Sequence, residues 1–299
     1  MTKKQKKQTD ATGPEAPLII KPTSDLFTAI LWSAPKNEPL LVDFINAVLG
    51  NIGWAPIVRA TVLNRFNIKE FVNDKSTVLD VLAEDENKRQ INIEIQVSPH
   101  PAFASRVLQY WSGLYSSQLR VGGDYDDLRP VISIIVTEFA IFPELKNVHN
   151  VFRLTAMENP SVVMTTDLQI HFLRLSELLK GRLEALKDLD RKLRHWVNFF
   201  IFGSKKTEEE MSQLVENDPM IREAYQEFQR FTTDPEMREQ ERRRQRQILD
   251  YNLAMGASKK EGKIEEKAEI ASNLKNMGFG VDVIAKATGL SADEVGRLN

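Results

Sequence analysis

Apolar residues recur at helical spacing early in the chain. Leu26, Phe27, Ile30 and Leu31 follow Pro22-Thr23-Ser24-Asp25, a segment able to cap a helix start. Leu40, Leu41, Phe44, Ile45, Val48 and Leu49 follow Pro39 at i, i+3, i+4 intervals, and Gly50 stands where helices commonly end. The period then falls to two. Thr77 to Ala83 (TVLDVLA) and Gln90 to Val97 (QINIEIQV) flank the polar segment Glu84 to Arg89, which predicts a β-hairpin. A helix is expected from Ala102 to about Leu119, ended by Gly122-Gly123. A strand apolar on both faces is expected at Val131 to Val136, with further strands near 151–154 and 167–173. Leu178 to Phe202 has helical spacing. After about Lys205 the composition turns toward charge, with five arginines between Arg238 and Gln247. A helix from about Lys259 to Met277 and two short ones at 281–287 and 292–298 close the chain. Ser291-x-x-Glu294 is a capping box for the last of these.

The pattern divides the chain into three. Residues 1–17, rich in lysine and without an apolar core, read as a disordered tail. Residues 18–205 form an α/β domain, and residues 206–299 a helical region with a helix-turn-helix-like end.

One polar residue breaks the hairpin pattern. Asp80 lies in Val78-Leu79-Asp80-Val81-Leu82, where a lone buried carboxylate costs several kcal/mol unless it is paired or holds a metal. On the second strand, Ile91, Ile93, Ile95 and Val97 share one face, and Asn92, Glu94 and Gln96 share the other. A turn centred on Asn87 pairs residues whose numbers sum to 174, which sets Asp80 opposite Glu94 with Gln96 on the diagonal. Two carboxylates so placed call for a cation between them. A two-residue turn would shift the register and send Glu94 to the other face, so this reading requires a turn of odd length. The alternative is a solvated hairpin face, with Asp80, Asn92, Glu94 and Gln96 as ordinary exposed polar residues. The apolar strand at 131–136 and the surrounding amphipathic helices weigh against a bare face.

The composition removes several function classes. The 299 residues include no cysteine, which excludes disulfide scaffolds, thiolate zinc sites and cysteine nucleophiles and fits a reducing, cytoplasmic setting. The net charge of -2 argues against coating nucleic acid by bulk charge, though not against a local basic groove. No run approaches the ~18 apolar residues of a membrane span.

Other candidates are weaker. Arg106 and Tyr110 share a helix face at i, i+4, either to meet a substrate phosphate or as an arginine packed on a tyrosine ring. Trp111 and Leu114-Tyr115 read as core residues, with a nucleotide-stacking platform as the alternative. The arginine run reads as a solvated helix face or a phosphate contact. The C-terminal helices offer a surface for a homo-oligomer. His100, His149, His171 and His195 have no metal-ligand spacing and receive no role.

The order of these segments resembles a known family. An Asp, a short hairpin and Glu-x-Gln on the next strand are similar to the core of the PD-(D/E)XK nucleases. More closely, the chain resembles the Rpn family of recombination-promoting nucleases and transposases. The match rests on Lys21 to Phe27 (KPTSDLF), on Leu79 to Gln96, and on Arg106, Tyr110-Trp111, Tyr115 and Gln118. It continues through Gly122-Gly123-Asp124-Tyr125 with Leu128 and Pro130-Val131-Ile132, and ends in Ile284 to Ser291.

The resemblance implies a restriction-endonuclease-like mixed sheet flanked by helices, with an α-helical C-terminal extension. It implies a metal-dependent DNA endonuclease linked to recombination, transposition or mobile-element defence. Asp80, Glu94 and the main-chain carbonyl of Ile95 would bind Mg²⁺, or Mn²⁺ in its place, as hard oxygen ligands. Gln96, where the superfamily usually has lysine, can orient water but brings no charge. Asp25 matches an acidic residue of the family's first helix, as a metal contact or as a helix-start residue. Arg106 and Tyr110 fall beside the site, toward DNA. The competing function is a catalytically degenerate DNA- or protein-binding module on the same fold.

Overall fold

The computed structural model describes residues 18–64, 81–99 and 102–297. The chain divides into two compact units after Glu241. In the first unit, α1 (Asp25–Ser33) starts at Ser24, whose hydroxyl accepts from the Phe27 amide, and α2 (Glu38–Gly50) follows with Pro39 in its first turn. The strands are β1 (Ala60–Val62), β2 (Val81–Asp85), β3 (Gln90–Gln96), β4 (Val131–Thr137), β5 (His149–Phe152) and β6 (Leu168–Arg174). Helix α3 (Phe103–Ser117) connects β3 to β4. After β6 come α4 (Ser176–Leu179), α5 (Arg191–Phe202), α6 (Glu208–Leu214), α7 (Pro219–Thr233) and α8 (Pro235–Asn276).

The six strands form one mixed sheet in the order β1-β2-β3-β4-β6-β5. The central β3, β4 and β6 run parallel, while β1, β2 and β5 run antiparallel to their neighbours. Parallel strands need cover on both faces, and both faces have it. On one, Ile91, Ile93, Ile95, Ile132, Ile134 and Val136 meet the apolar sides of α1, α2, α5 and α7, including Trp32, Phe44, Trp196 and Phe228. On the other, Ile135, Leu168, Ile170 and Phe172 meet Phe103 and Val107 of α3, with Trp111, Phe139 and Phe142 alongside. This is the expected α/β restriction-endonuclease-like architecture with helices at its C-terminal side.

The solvated-face alternative does not hold for β3. Asn92 and Glu94 are buried under α3, because the sheet face they share is the second covered face. Two further differences have local causes. β1 is too short for its three residues to display an alternation. The helical stretch from Leu178 to Phe202 is broken by Gly181, whose φ of 86° leaves the helical region, and by a 3₁₀ turn at Leu183–Asp188.

The arginine run and the later helix are one continuous 42-residue helix, α8. Arg, Glu, Gln and Lys favour helix without supplying an apolar period, so its first half is silent to hydrophobic patterning. The second unit holds the part of α8 from Arg242 onward, α9 (Val281–Thr288) and α10 (Ala292–Arg297). Ala271, Ile284 and Val295 form its core. Gly289 turns the chain between the two short helices at φ 68°, and Ser291 and Glu294 make the expected reciprocal cap. None of the described helices is long and apolar enough to cross a membrane.

Candidate active site

The hairpin register centres the site. Val81 pairs with Ile93, Leu82 with Asn92, Ala83 with Ile91 and Glu84 with Gln90, each pair summing to 174. The intervening turn, residues 85–89, is odd in length. Asp85 fixes it: its Oδ1 accepts from the Asn87 and Arg89 amides, and its Oδ2 accepts from Arg89 Nε at 2.5 Å. Asp80, the residue before this ladder, lies outside the described residues, as does His100.

Glu94 sits in the middle of β3 and is 1% exposed. Its register partners in the parallel strands are Ile135 and Phe172, so its carboxylate has apolar neighbours across the sheet. Arg106, one turn into α3, is its partner: Nη2 donates to Glu94 Oε1 at 2.5 Å and to Gln96 Oε1 at 2.9 Å. Burial pushes the Glu94 carboxyl up, against the pull of the Arg106 guanidinium. Arg106 also lies over the Phe103 ring, 4.7 Å from its centroid, and its side chain is 21% exposed. It therefore packs on Phe103, not on Tyr110, which stands exposed one turn later. Its Nε is buried and makes no hydrogen bond among the described residues.

Both ends of the Gln96 amide are used. The oxygen accepts from Arg106, and Nε2 donates to the Ser98 carbonyl at 3.0 Å. The main chain of β3 supplies one more oxygen. Gln96 O accepts from the Glu138 amide, toward β4. Strand carbonyls alternate in direction, so that of Ile95 points to the opposite edge, toward β2, where the described ladder ends at Val81 and Ile93.

The donor set suits a hard divalent cation. Glu94 and the Ile95 carbonyl are oxygen donors, and a buried carboxylate beside a carbonyl is the ligand chemistry that Mg²⁺ or Mn²⁺ takes. Among the described residues no three acidic or imidazole groups converge on a metal-sized site.

The Lys21–Phe27 segment packs against the same end of the sheet. Lys21 Nζ and Thr23 Oγ1 donate to the two oxygens of Glu138, at 2.8 and 2.6 Å. Ser24 caps α1 and donates to the buried Glu241 at the start of α8. Ser24 thus takes the capping position, and Asp25 stands in the first turn with its Oδ1 on the Leu26 amide. Trp111 packs, partly buried, against the second core: its indole N–H donates to the Val131 carbonyl, and its ring stacks on Tyr115. Gln118 holds the Arg129 main chain at both its amide and its carbonyl. Sequence reasoning missed the grip on Glu138 and the stacking on Phe103; the KPTSD segment was the only signal of the first.

A family model described as PD-(D/E)XK nuclease family transposase matches residues 22–258. No curated protein and no solved structure matches the chain.

Proposed function

The chain belongs to the PD-(D/E)XK nuclease family transposases, and from that premise we propose that it is a divalent-metal-dependent endonuclease acting on DNA. The observation that carries this reading is Glu94, a buried carboxylate on a strand whose described register ends at Val81 and Ile93 and, if continued by one residue, would pair Glu94 with Asp80. Asp80, Glu94 and the Ile95 carbonyl would hold Mg²⁺, with Mn²⁺ as a substitute. When bound, such an ion lowers the pKa of a coordinated water and offsets charge on the attacked phosphate.

The protein's own groups do the rest. Arg106 holds the buried Glu94 in an ion pair and offers a guanidinium N–H from its partly exposed side chain to a phosphate oxygen. Tyr110, exposed one turn further along α3, reaches for the DNA backbone. Gln96 assists the reacting centre, and Asp25 supports it from α1. Transposition, recombination and action on mobile elements in the cytoplasm are the settings such an activity serves.

Supercoiled plasmid with Mg²⁺ is the test. Wild type is expected to nick it and Asp80→Ala is not; no nicking by wild type, or equal nicking by the variant, sinks the proposal. The engaged, uncharged amide of Gln96 favours one other reading, a catalytically silent DNA-binding module. Such a module would hold DNA equally well in EDTA and in Mg²⁺ and cut nothing.

A further inference from the structure

We propose that Arg106 is the cation which this site brings to the attacked phosphate, and that Gln96 acts on Arg106 rather than on water. The inference rests on the nuclease reading above and deepens it. Hydrolysis forms a bond from the water oxygen to phosphorus and breaks the bond from phosphorus to the leaving sugar oxygen. One proton passes from the water through solvent to that leaving oxygen. Negative charge grows on the non-bridging oxygens as this happens, and a fixed cation there is stronger in the transition state than in the ground state. Gln96 cannot supply that charge.

Three contacts place a guanidinium in its stead. Arg106 is tied by Nη2 to Glu94 and to Gln96, and its guanidinium carbon lies over Phe103 at the helix start. That start is itself specific: Ala102 has a φ of 58°, a conformation L residues rarely adopt, and it sets the first turn of α3 over β3. Gln96 is oriented from behind by its own bond to Ser98, so its oxygen faces Arg106. What remains of the guanidinium is the donor set of an anion site. Among the described residues Nη1 makes no hydrogen bond, and the side chain keeps 21% of its surface exposed. A guanidinium N–H left unpaired there is a charged donor that a phosphate oxygen can take. The rigid fork of arginine suits that oxygen better than a flexible ammonium does. Gln96 is then a positioning residue and Arg106 the group that touches substrate.

A charge transfer between the two positions tests this. Plasmid nicking in Mg²⁺ is measured for wild type, Arg106→Ala, Gln96→Leu and the double variant Arg106→Ala/Gln96→Lys. Melting in EDTA and in Mn²⁺ checks folding and metal binding separately. Arg106→Ala is expected to lose about 10²- to 10³-fold in kcat, with KM within about threefold and the Mn²⁺-dependent melting shift retained. Gln96→Leu is expected to lose about tenfold, because Arg106 is freed but present. The double variant is expected to recover at least tenfold over Arg106→Ala, since a lysine on β3 returns a cation to the same face. If that variant folds poorly, Arg106→Ala/Gln96→Arg takes its place. A double variant that binds Mn²⁺ and cuts no faster than Arg106→Ala overturns the proposal and leaves the nuclease reading standing. A wild type that cuts nothing overturns the nuclease reading, and this inference with it.

Discussion

His149 Nε2 and His171 Nδ1 lie 2.9 Å apart with their rings stacked, and both side chains are buried. The pair is the middle of a chain of donors. Asn51 Nδ2 donates to His149 Nδ1, His149 to His171, and His171 Nε2 to Gln169 Oε1. That order works only with both rings neutral. Burial pushes His149 down to about 4 and His171 to about 3, the latter with help from His149. The unfolded chain therefore takes up protons first, near pH 6.5. Stability contributed by the pair is full above that pH and is lost as pH falls toward 4, by about 2 kcal/mol per ring at pH 5. The urea midpoint should fall between pH 6.5 and 5 more steeply for wild type than for His149→Gln. Parallel pH profiles for the two proteins would remove the pair as the cause.

Ser24 has two duties, as the cap of α1 and as a donor to Glu241 at 2.7 Å. Glu241 is buried, so losing this donor takes a hydrogen bond from a carboxyl oxygen held away from water. Ser24→Ala should cost about 1 kcal/mol for the cap and about as much again at Glu241. A double-mutant cycle with Glu241→Gln should give a coupling above ~0.5 kcal/mol in urea denaturation. Additive effects would mean that the contact between the first helix and α8 contributes nothing.

The hairpin was legible because parity and turn length fix a register between them. Every described pair of β2 and β3 obeys the sum that places the centre at Asn87. The burial of Glu94 was less so, since a polar face on one strand looks the same whether water or a helix covers it; α3 decides the matter. The KPTSD segment was visible as a motif but not as a mechanism. Its lysine and threonine grip Glu138, over a hundred positions away, and no periodicity carries a contact of that range. The pairing of His149 with His171 was invisible for the same reason: it arises from β5 lying beside β6, which sequence spacing does not encode.

Trp111 separates a core role from a nucleotide platform. Its N–H is spent on the Val131 carbonyl, and its ring packs on the core between α3 and the sheet. Trp111→Phe keeps most of the ring and loses the bond, so it should destabilise by about 1–2 kcal/mol. DNA affinity at fixed salt should stay within threefold. A tenfold loss of affinity in a variant with an unchanged melting temperature would make Trp111 a stacking platform instead.

The two proposed metal ligands should respond differently to losing their charge. Glu94 is bonded to Arg106 under α3, so Glu94→Gln leaves a guanidinium without its anion. That variant should unfold about 2 kcal/mol more easily than wild type in EDTA. Asp80 is proposed to face Glu94 across the hairpin, where a second carboxylate would add repulsion that a bound cation removes. Asp80→Asn removes the repulsion and spares the Arg106 pair, so in EDTA it should melt at or above wild type. Adding Mg²⁺ or Mn²⁺ should stabilise wild type by RT ln(1 + [L]/Kd), about 2.7 kcal/mol at a hundredfold excess over Kd. Both variants should lose most of that gain despite moving in opposite directions without metal. Melting curves in EDTA and in each metal distinguish this from a purely structural hairpin. There, Asp80→Asn would match wild type in every condition, and the assignment of Asp80 as a ligand would fall.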